Sequence, residues 1–439
     1  MQNRRAHSRR DFVRLGSLSL AACSLPSLGC SAQKPFVEPT GAPYQGTDES
    51  LLDEIQRTSF DFFWNEASAK TGQIKDRALA SGNDNNAHLM SSIAATGFAL
   101  TGLCIADRRG FRDSTEIRTR VRNTLRFLAD DLPHEHGFFY HFVHMETGQR
   151  WEKCELSSID TSLLLCGVLT ARQYFADQEI KDLATTIYER VDWPWMLDGG
   201  STLSMGWHPE TGFLSARWEH YCELMMIYLL AIGSPTHKLS PESWSAWKRP
   251  VIKYHGLEYI SGDDPLFTHQ YSHAWFDFRK KRDAYANYFE NSVTATKAHK
   301  LFCLSLRDRF PDYSDKLWGI SASDYVNGYT AWGGPPPQGP LDGSIVPCAT
   351  GGSLAFLYED CMRVLRTIRG PYKERAWARY GFVDAFNPLS GWYDQDVLGI
   401  DLGITMLMAE NHRTGFVWET FMKNPEARNA MEKAGFHAG

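Results

Sequence analysis

The chain has 439 residues, 43% of them hydrophobic and 22% charged, an ordinary globular composition. The formal charge is −6, and five Arg against one Asp fall within the first thirty residues, so the remainder is more acidic still. That balance excludes nucleic acid as a partner and disfavours a strongly anionic polysaccharide.

Residues 1–30 stand apart from the fold. Ser8-Arg9-Arg10-Asp11-Phe12-Val13-Arg14 matches the twin-arginine export pattern. The weakly apolar run from Leu15 to Leu28 is too short to span a bilayer. Cys23 and Cys30 are the two candidate lipidation sites, so the expectation is an exported periplasmic or cell-envelope lipoprotein. Membrane contact is expected only through that anchor, and a monomer is expected. Residues 31–47, with Pro35, Pro39, Gly41, Pro43 and Gly46, read as a flexible tether.

From Asp48 onward helical patterns alternate with Gly-, Pro- and aromatic-rich loops. Helices are predicted over 48–66, 89–108, 114–130, 158–176, 178–191, 217–232, 241–248, 284–307, 352–369, 372–379, 401–414 and 424–434. Strand signals are short and local, as at 137–143. The stretches Leu51–Trp64, Ser114–Leu128 and Glu179–Tyr188 are amphipathic. Ser91–Ala106, Ser158–Ala171, Cys222–Ile232 and Asp401–Ala409 are apolar nearly all round and rich in small residues. The first set suits the outer layer of a double ring and the second its inner layer, where small residues permit close approach. The fold predicted is all-α: an (α/α)6 toroid with short local β hairpins in its loops, one domain over 48–439.

Three acids recur at the start of an apolar helix, after a polar loop: Asp160, Glu223 and Asp401. In a toroid the inner helices run parallel, so their N-terminal ends gather at one mouth. Hydrolysis of a glycosidic bond needs such a set, with one carboxyl protonating the leaving oxygen and one carboxylate activating water or attacking. Each also has a structural reading. Asp160 follows Ser157 at capping-box spacing, Asp401 suits a helix N-terminus, and Glu223 could be satisfied by Arg217 or a backbone amide.

Aromatics reach 13%, and their flat faces serve sugar stacking as well as core packing. His269 and His273 stand at i, i+4, but the central Glu of HExxH is missing and no metal is expected. A substrate-lining loop holding Tyr271 and Trp275 is the better reading. His134-Glu135-His136 reads as a turn, and residues 333–337 as rigid loop at the rim. The seven cysteines beyond Cys30 are an odd, scattered set without CxxC spacing, neither a disulfide framework nor a zinc site.

Ten motifs, in order along the chain, carry a resemblance. They are HGFFYHF (136–142), ELSSIDTSLLLCGVLTARQYF (155–175), VDWPWM (191–196), GWHPETGF (206–213) and ARWEHYCE (216–223). LLAIGSPTH (229–237), FTHQYSHAWFDFR (267–279), YFENS (288–292), YGFVDAFNP (380–388) and GIDLGITMLMAEN (399–411) complete the set. Together they resemble the bacterial β-1,2-glucanases of glycoside hydrolase family 144, known as glycoamylase-like proteins. The resemblance implies an (α/α)6 toroid, an inverting mechanism, a β-1,2-linked glucan or its sophoro-oligosaccharides as substrate, and no metal or organic cofactor. It assigns Glu223 as general acid, Asp401 as a second essential acid, and Asp160 with Glu155 as an acidic cluster. Trp207, Trp218, Tyr271, Trp275 and Trp392 are the expected sugar platforms, and Arg217, His269 and His273 the expected polar contacts. Two other readings stand beside it: a toroid polysaccharide lyase with Tyr271 or His269 as base, and a non-catalytic glycan-binding lipoprotein.

Overall fold

A computed structural model describes residues 41–82, 88–263 and 265–439. The export motif, Cys23, Cys30 and the first part of the tether lie outside the described residues. The helices are α1 (Asp48–Asn65), α2 (Ile93–Arg109), α3 (Ser114–Arg126), α4 (Ser158–Tyr174), α5 (Gln178–Glu189), α6 (Met225–Gly233) and α7 (Tyr288–Ser305). They continue with α8 (Pro347–Gly351), α9 (Tyr358–Arg369), α10 (Lys373–Ala376), α11 (Gly399–Thr414), α12 (Phe416–Phe421) and α13 (Pro425–Lys433).

Burial divides these helices into two layers. Every residue of α6 is buried, as is nearly all of α2, α4 and α11. In α3, α5 and α9 one stripe is buried and the charged face is outside. The inner elements close into a ring: α11 packs on α2, α2 on α4, and α4 on α6. Ser272, in the 3-10 turns over 266–274, then accepts from the Met226 amide. Gln270 of the same turns donates to Ala349 of α8, and α8 packs on α11. Six inner elements around a funnel make an (α/α)6 toroid. The outer place beside α6 is filled by α13, from the C-terminus.

Small residues set the spacing of the inner ring. A Cβ on Gly167 would collide with the backbone of Gly97, and one on Gly97 would meet Leu164 Cα at 2.6 Å. Helices α2 and α4 therefore touch backbone to backbone.

Strands among the described residues are short and pair into two- or three-stranded sheets. They nevertheless form a girdle. Three of them lead straight into inner helices: Met90–Ser92 into α2, Leu156–Ser157 into α4, and Asp396–Leu398 into α11. Met90–Ser92 pairs with Phe142–His144, and Leu156–Ser157 with Gly206–His208. Arg77–Leu79 pairs with Asp396–Leu398, while bridges Lys75–Ser91 and Tyr140–Leu156 link the hairpins. The girdle fixes three helix N-termini at one mouth.

Several expectations change: the segment over 241–248 is a 3-10 turn, Pro241–Ser245, the helix expected over 352–369 begins at Tyr358, and that over 372–379 shortens to Lys373–Ala376. The helix expected over 217–232 begins at Met225, because the preceding backbone is spent on neighbouring loops. The Trp218 amide donates to Leu203 O, the Tyr221 amide donates to Lys248 O, and Arg217 bridges Ser204. The part of the tether within the described residues, 41–47, is held to the domain. The Gly41 amide donates to Pro371 O, and the Tyr44 hydroxyl donates to Glu54 beneath the Arg366 and Arg369 guanidinium groups.

Candidate active site

Two of the three predicted acids occupy the third position of an inner helix. Asp160 follows its N-cap Ser157, whose hydroxyl accepts from the Asp160 amide at 3.0 Å and donates to the Asp160 carboxylate. Asp401 sits likewise in the first turn of α11 and is buried. Both gain from the partial positive charge of the helix start. Glu223 is half-buried in the turn just ahead of α6, and its carbonyl accepts from Ser272 Oγ at 2.7 Å.

The order of the ring decides how the three face one another. Asp401 belongs to α11, Asp160 to the second element along, α4, and Glu223 to the third, α6. Three steps in a ring of six is the far side. The turn that carries Glu223 leads into the element three steps from that of Asp401, and the Asp160 helix packs on that element.

Around Asp160 a second acid is gathered. Buried His141, in the loop between Phe138–Phe139 and Phe142–His144, lies with Nδ1 3.2 Å from Glu155 Oε1 and Nε2 3.5 Å from Asp160 Oδ1. One imidazole thus spans both carboxylates of the 155–160 segment. His141 lies within the HGFFYHF motif, and only the pairing of 140 with 156 brings it there.

Around Asp401 the acid density is higher, and sequence reasoning missed it. Buried Asp384 lines the same small cavity as Asp401 and accepts the Asp324 amide at 2.7 Å. Oxygens of Asp324, Asp384 and Asp394 lie within 4.8 Å of one another, all three buried. Arg77 answers them, with Nη1 2.6 Å from Asp324 and Nε 3.2 Å from Asp76. Burial, and then the charges of Asp401 and Asp324, push the Asp384 carboxyl well above the usual range. Burial, then Asp324 and Asp396, push Asp394 up to about 8. A like-charged cluster this dry cannot ionise fully. The sequence signal was faint: Asp394 and Asp396 just before the Gly399 helix, and Asp384 alone in an aromatic loop.

The predicted binding residues divide by exposure. Trp207 and Trp392 are half-buried, and their faces can serve sugar. Trp218 and Trp275 are core residues instead, their indole N–H groups donating to Ser158 Oγ and Thr101 Oγ1. Trp275 packs against Phe98 and is fully enclosed, so it is no platform. Tyr271 is 1% exposed. His269 and His273 sit in two successive 3-10 turns rather than one α-helical face. His269 Nδ1 meets the Tyr221 hydroxyl at 3.2 Å, and His273 Nε2 meets Ser292 Oγ at 3.0 Å. Burial lowers both imidazoles to about 3. They are neutral wall residues. Arg217 donates to Leu197 O, Thr202 O and Thr202 Oγ1, pinning the loop over 197–202.

Known proteins share this fold. The family model Glycoamylase, described as "Putative glucoamylase", matches residues 215–425. An exo β-1,2-glucooligosaccharide sophorohydrolase (non-reducing end) of Parabacteroides distasonis is 27% identical over 431 residues. The match covers 89% of this chain and 58% of that relative, so the chain spans little more than half its length. The endo-β-1,2-glucanase of Chitinophaga pinensis, solved with sophorotriose and glucose, superposes with a TM-score of 0.83 at 26% identity. That match covers 89% of this chain and 99% of the other. A β-1,2-glucanase structure from Parabacteroides distasonis gives 0.82 at 26% identity, over 89% and 60% of the two chains. Residues 215–425 thus match the Glycoamylase family model, and the chain is similar over most of its length to the β-1,2-glucanases of Chitinophaga pinensis and Parabacteroides distasonis.

Proposed function

We propose that the protein is an inverting glycoside hydrolase acting on β-1,2-glucan or its sophoro-oligosaccharides, with Glu223 as general acid. Asp401, or Asp160 through a water, acts as base. The observation that carries this reading is the placement of Glu223 and Asp401 on opposite elements of the inner ring. A glucan entering the funnel passes between an acid on one side and an acid on the other, the arrangement inversion requires. The β-1,2-linked substrates named for the relatives from Chitinophaga pinensis and Parabacteroides distasonis supply the substrate class. Trp207 and Trp392 offer stacking faces, and Glu155, held by His141, a hydroxyl acceptor. The reading extends to an exported, lipid-anchored monomer on the strength of the Arg9-Arg10 motif and Cys23 or Cys30.

Reducing-sugar release from linear β-1,2-glucan, by the wild type and by Glu223→Gln, tests the reading. The substitution keeps shape and removes the transferable proton, so activity should fall by about 10²-fold or more. Equal activity in both would move the acid elsewhere. Silence in the wild type across a glycan panel would leave a binding protein.

A further inference from the structure

Helix α6 begins without a cap of its own. Leu224 stands at the N-cap, where its side chain offers no acceptor, and the first amides of any α-helix lack a partner inside the helix. The Met226 amide finds one outside it, in Ser272 Oγ at 3.0 Å. The same hydroxyl gives its own proton to the Glu223 carbonyl oxygen, at 2.7 Å. Ser272 is fully enclosed, so no water competes for either bond. A cap normally comes from the residue just before the helix. Here it comes from the next element of the ring, and it grips the chain on both sides of the helix start.

The wall that carries Ser272 is itself held in place. Gln270 donates to Ala349 O at 2.9 Å and to Ser353 Oγ at 2.8 Å. The Trp418 indole N–H of α12 donates to His273 O at 2.6 Å, and Asn411 Nδ2 of α11 donates to Ala274 O at 2.8 Å. Just ahead of Glu223, the Tyr221 hydroxyl meets His269 Nδ1 at 3.2 Å. Residues 221–226 are thus laced to one wall by Tyr221, Glu223 and Met226. A glutamate side chain turns about three bonds, and Glu223 rises from a turn rather than a helix, so its reach depends on where its backbone is held. Proton delivery to a leaving oxygen tolerates little error, and a displacement of about 1 Å can cost about 10²-fold.

We infer that Ser272 is a positioning residue for Glu223: its hydroxyl, bonded to the Glu223 carbonyl and the Met226 amide, holds the backbone from which the acid reaches the glycosidic oxygen. The inference rests on the proposed hydrolase reading and deepens it, by placing a support of the acid on the neighbouring ring element. Ser272 exchanges nothing with substrate; the proton delivered is that of Glu223.

Two leaving groups test it. Cleavage of linear β-1,2-glucan expels a sugar oxygen that must be protonated, whereas a dinitrophenyl β-glycoside of a sophoro-oligosaccharide releases a phenolate that needs no acid. Ser272→Ala should lower kcat on glucan by about tenfold or more, with KM within about twofold of wild type. On the aryl glycoside its kcat should fall by less than about threefold. Glu223→Gln should show the same pattern more strongly. Ser272→Cys, whose thiol is a weak donor and acceptor, should fall between wild type and Ser272→Ala on glucan. Melting curves separate each loss from misfolding. A second readout needs no activity: hydrogen exchange of the amides over 222–228 should quicken in Ser272→Ala and not in Glu223→Gln. Equal losses on both substrates would make Ser272 a packing residue and overturn the inference, as would unchanged kcat on glucan or unchanged exchange in Ser272→Ala. A wild type silent on both substrates, with the exchange difference present, would sink the hydrolase reading and leave the hold of Ser272 on the Glu223 backbone standing.

Discussion

Gly167 rests against the backbone of Gly97, so the two inner helices α2 and α4 meet with no side chain between them. This contact holds the Asp160 helix at its place in the ring, two steps from α11 on one side and next to α6 on the other. A single added methyl has nowhere to go, because backbone rather than a flexible side chain receives it.

Gly167→Ala should therefore destabilise the fold by about 1–3 kcal/mol or more, the usual cost of overpacking. Gly102→Ala on helix α2 meets the yielding Met406 side chain at 3.3 Å and the Phe63 ring at 3.4 Å, with no backbone in the way, and should cost far less. Urea unfolding of the two variants checks the contrast. Equal midpoints would contradict the backbone contact.

His141 should matter to turnover although it sits outside the three acids first singled out. His141→Ala frees Glu155 and Asp160 to rotate and to repel each other, and misplacement at a site of this kind costs about 10²-fold. The same variant should raise KM as well, since Glu155 loses its fixed direction. Steady-state kinetics on sophoro-oligosaccharides would show whether both constants move.

Arg217 should influence where the glucan is cut more than how fast. Its guanidinium makes three hydrogen bonds to Leu197 and Thr202, and a single ammonium cannot reproduce them. Arg217→Lys should loosen the loop over 197–206 and change the lengths of released products, with kcat altered by less than KM. Chromatography of early digestion products reads this directly.

Stability should peak in the mildly acidic range. Burial lowers His269 and His273 to about 3 and His299 to about 4, so below pH 6.5 the unfolded chain binds protons that the native fold refuses. Stability is fully present above that unfolded value and declines as pH falls toward those native values. Asp384 and Asp394 have the opposite sign: protonated in the fold and ionised when unfolded, they stabilise at low pH. That contribution is lost as pH rises from about 4 through Asp394's native value of about 8. Below pH 6.5 three histidines outweigh two acids, and above it the acids act alone. The melting temperature should be highest near pH 6–7 and fall on both sides, and Asp394→Asn should flatten the alkaline side.

Much of this was legible in the residues. Wholly apolar, small-residue segments can only be inner helices, amphipathic ones can only be outer, and their alternation fixes the toroid. The positions of Asp160 and Asp401 at helix starts follow from the same local rules, since capping and the helix dipole act within a turn. The segment before α6 shows the limit. Residues 217–224 carry a helical pattern, yet pairing with Leu203 and Lys248 holds them open and leaves Glu223 in a turn. Likewise Trp275 and Trp207 look alike as letters, and only packing made one a core residue and the other a half-buried face.

The sequence by itself determined the fold class, the two layers and the acids at the helix starts, because these depend on periodicity and on interactions within a few residues. The tertiary structure alone decided that the elements of Glu223 and Asp401 lie three steps apart in the ring, that His141 spans Glu155 and Asp160, and that Asp384 and Asp401 line one cavity. Those relations join segments far apart in the chain, and they arise only when the ring closes and short strands pair at its mouth.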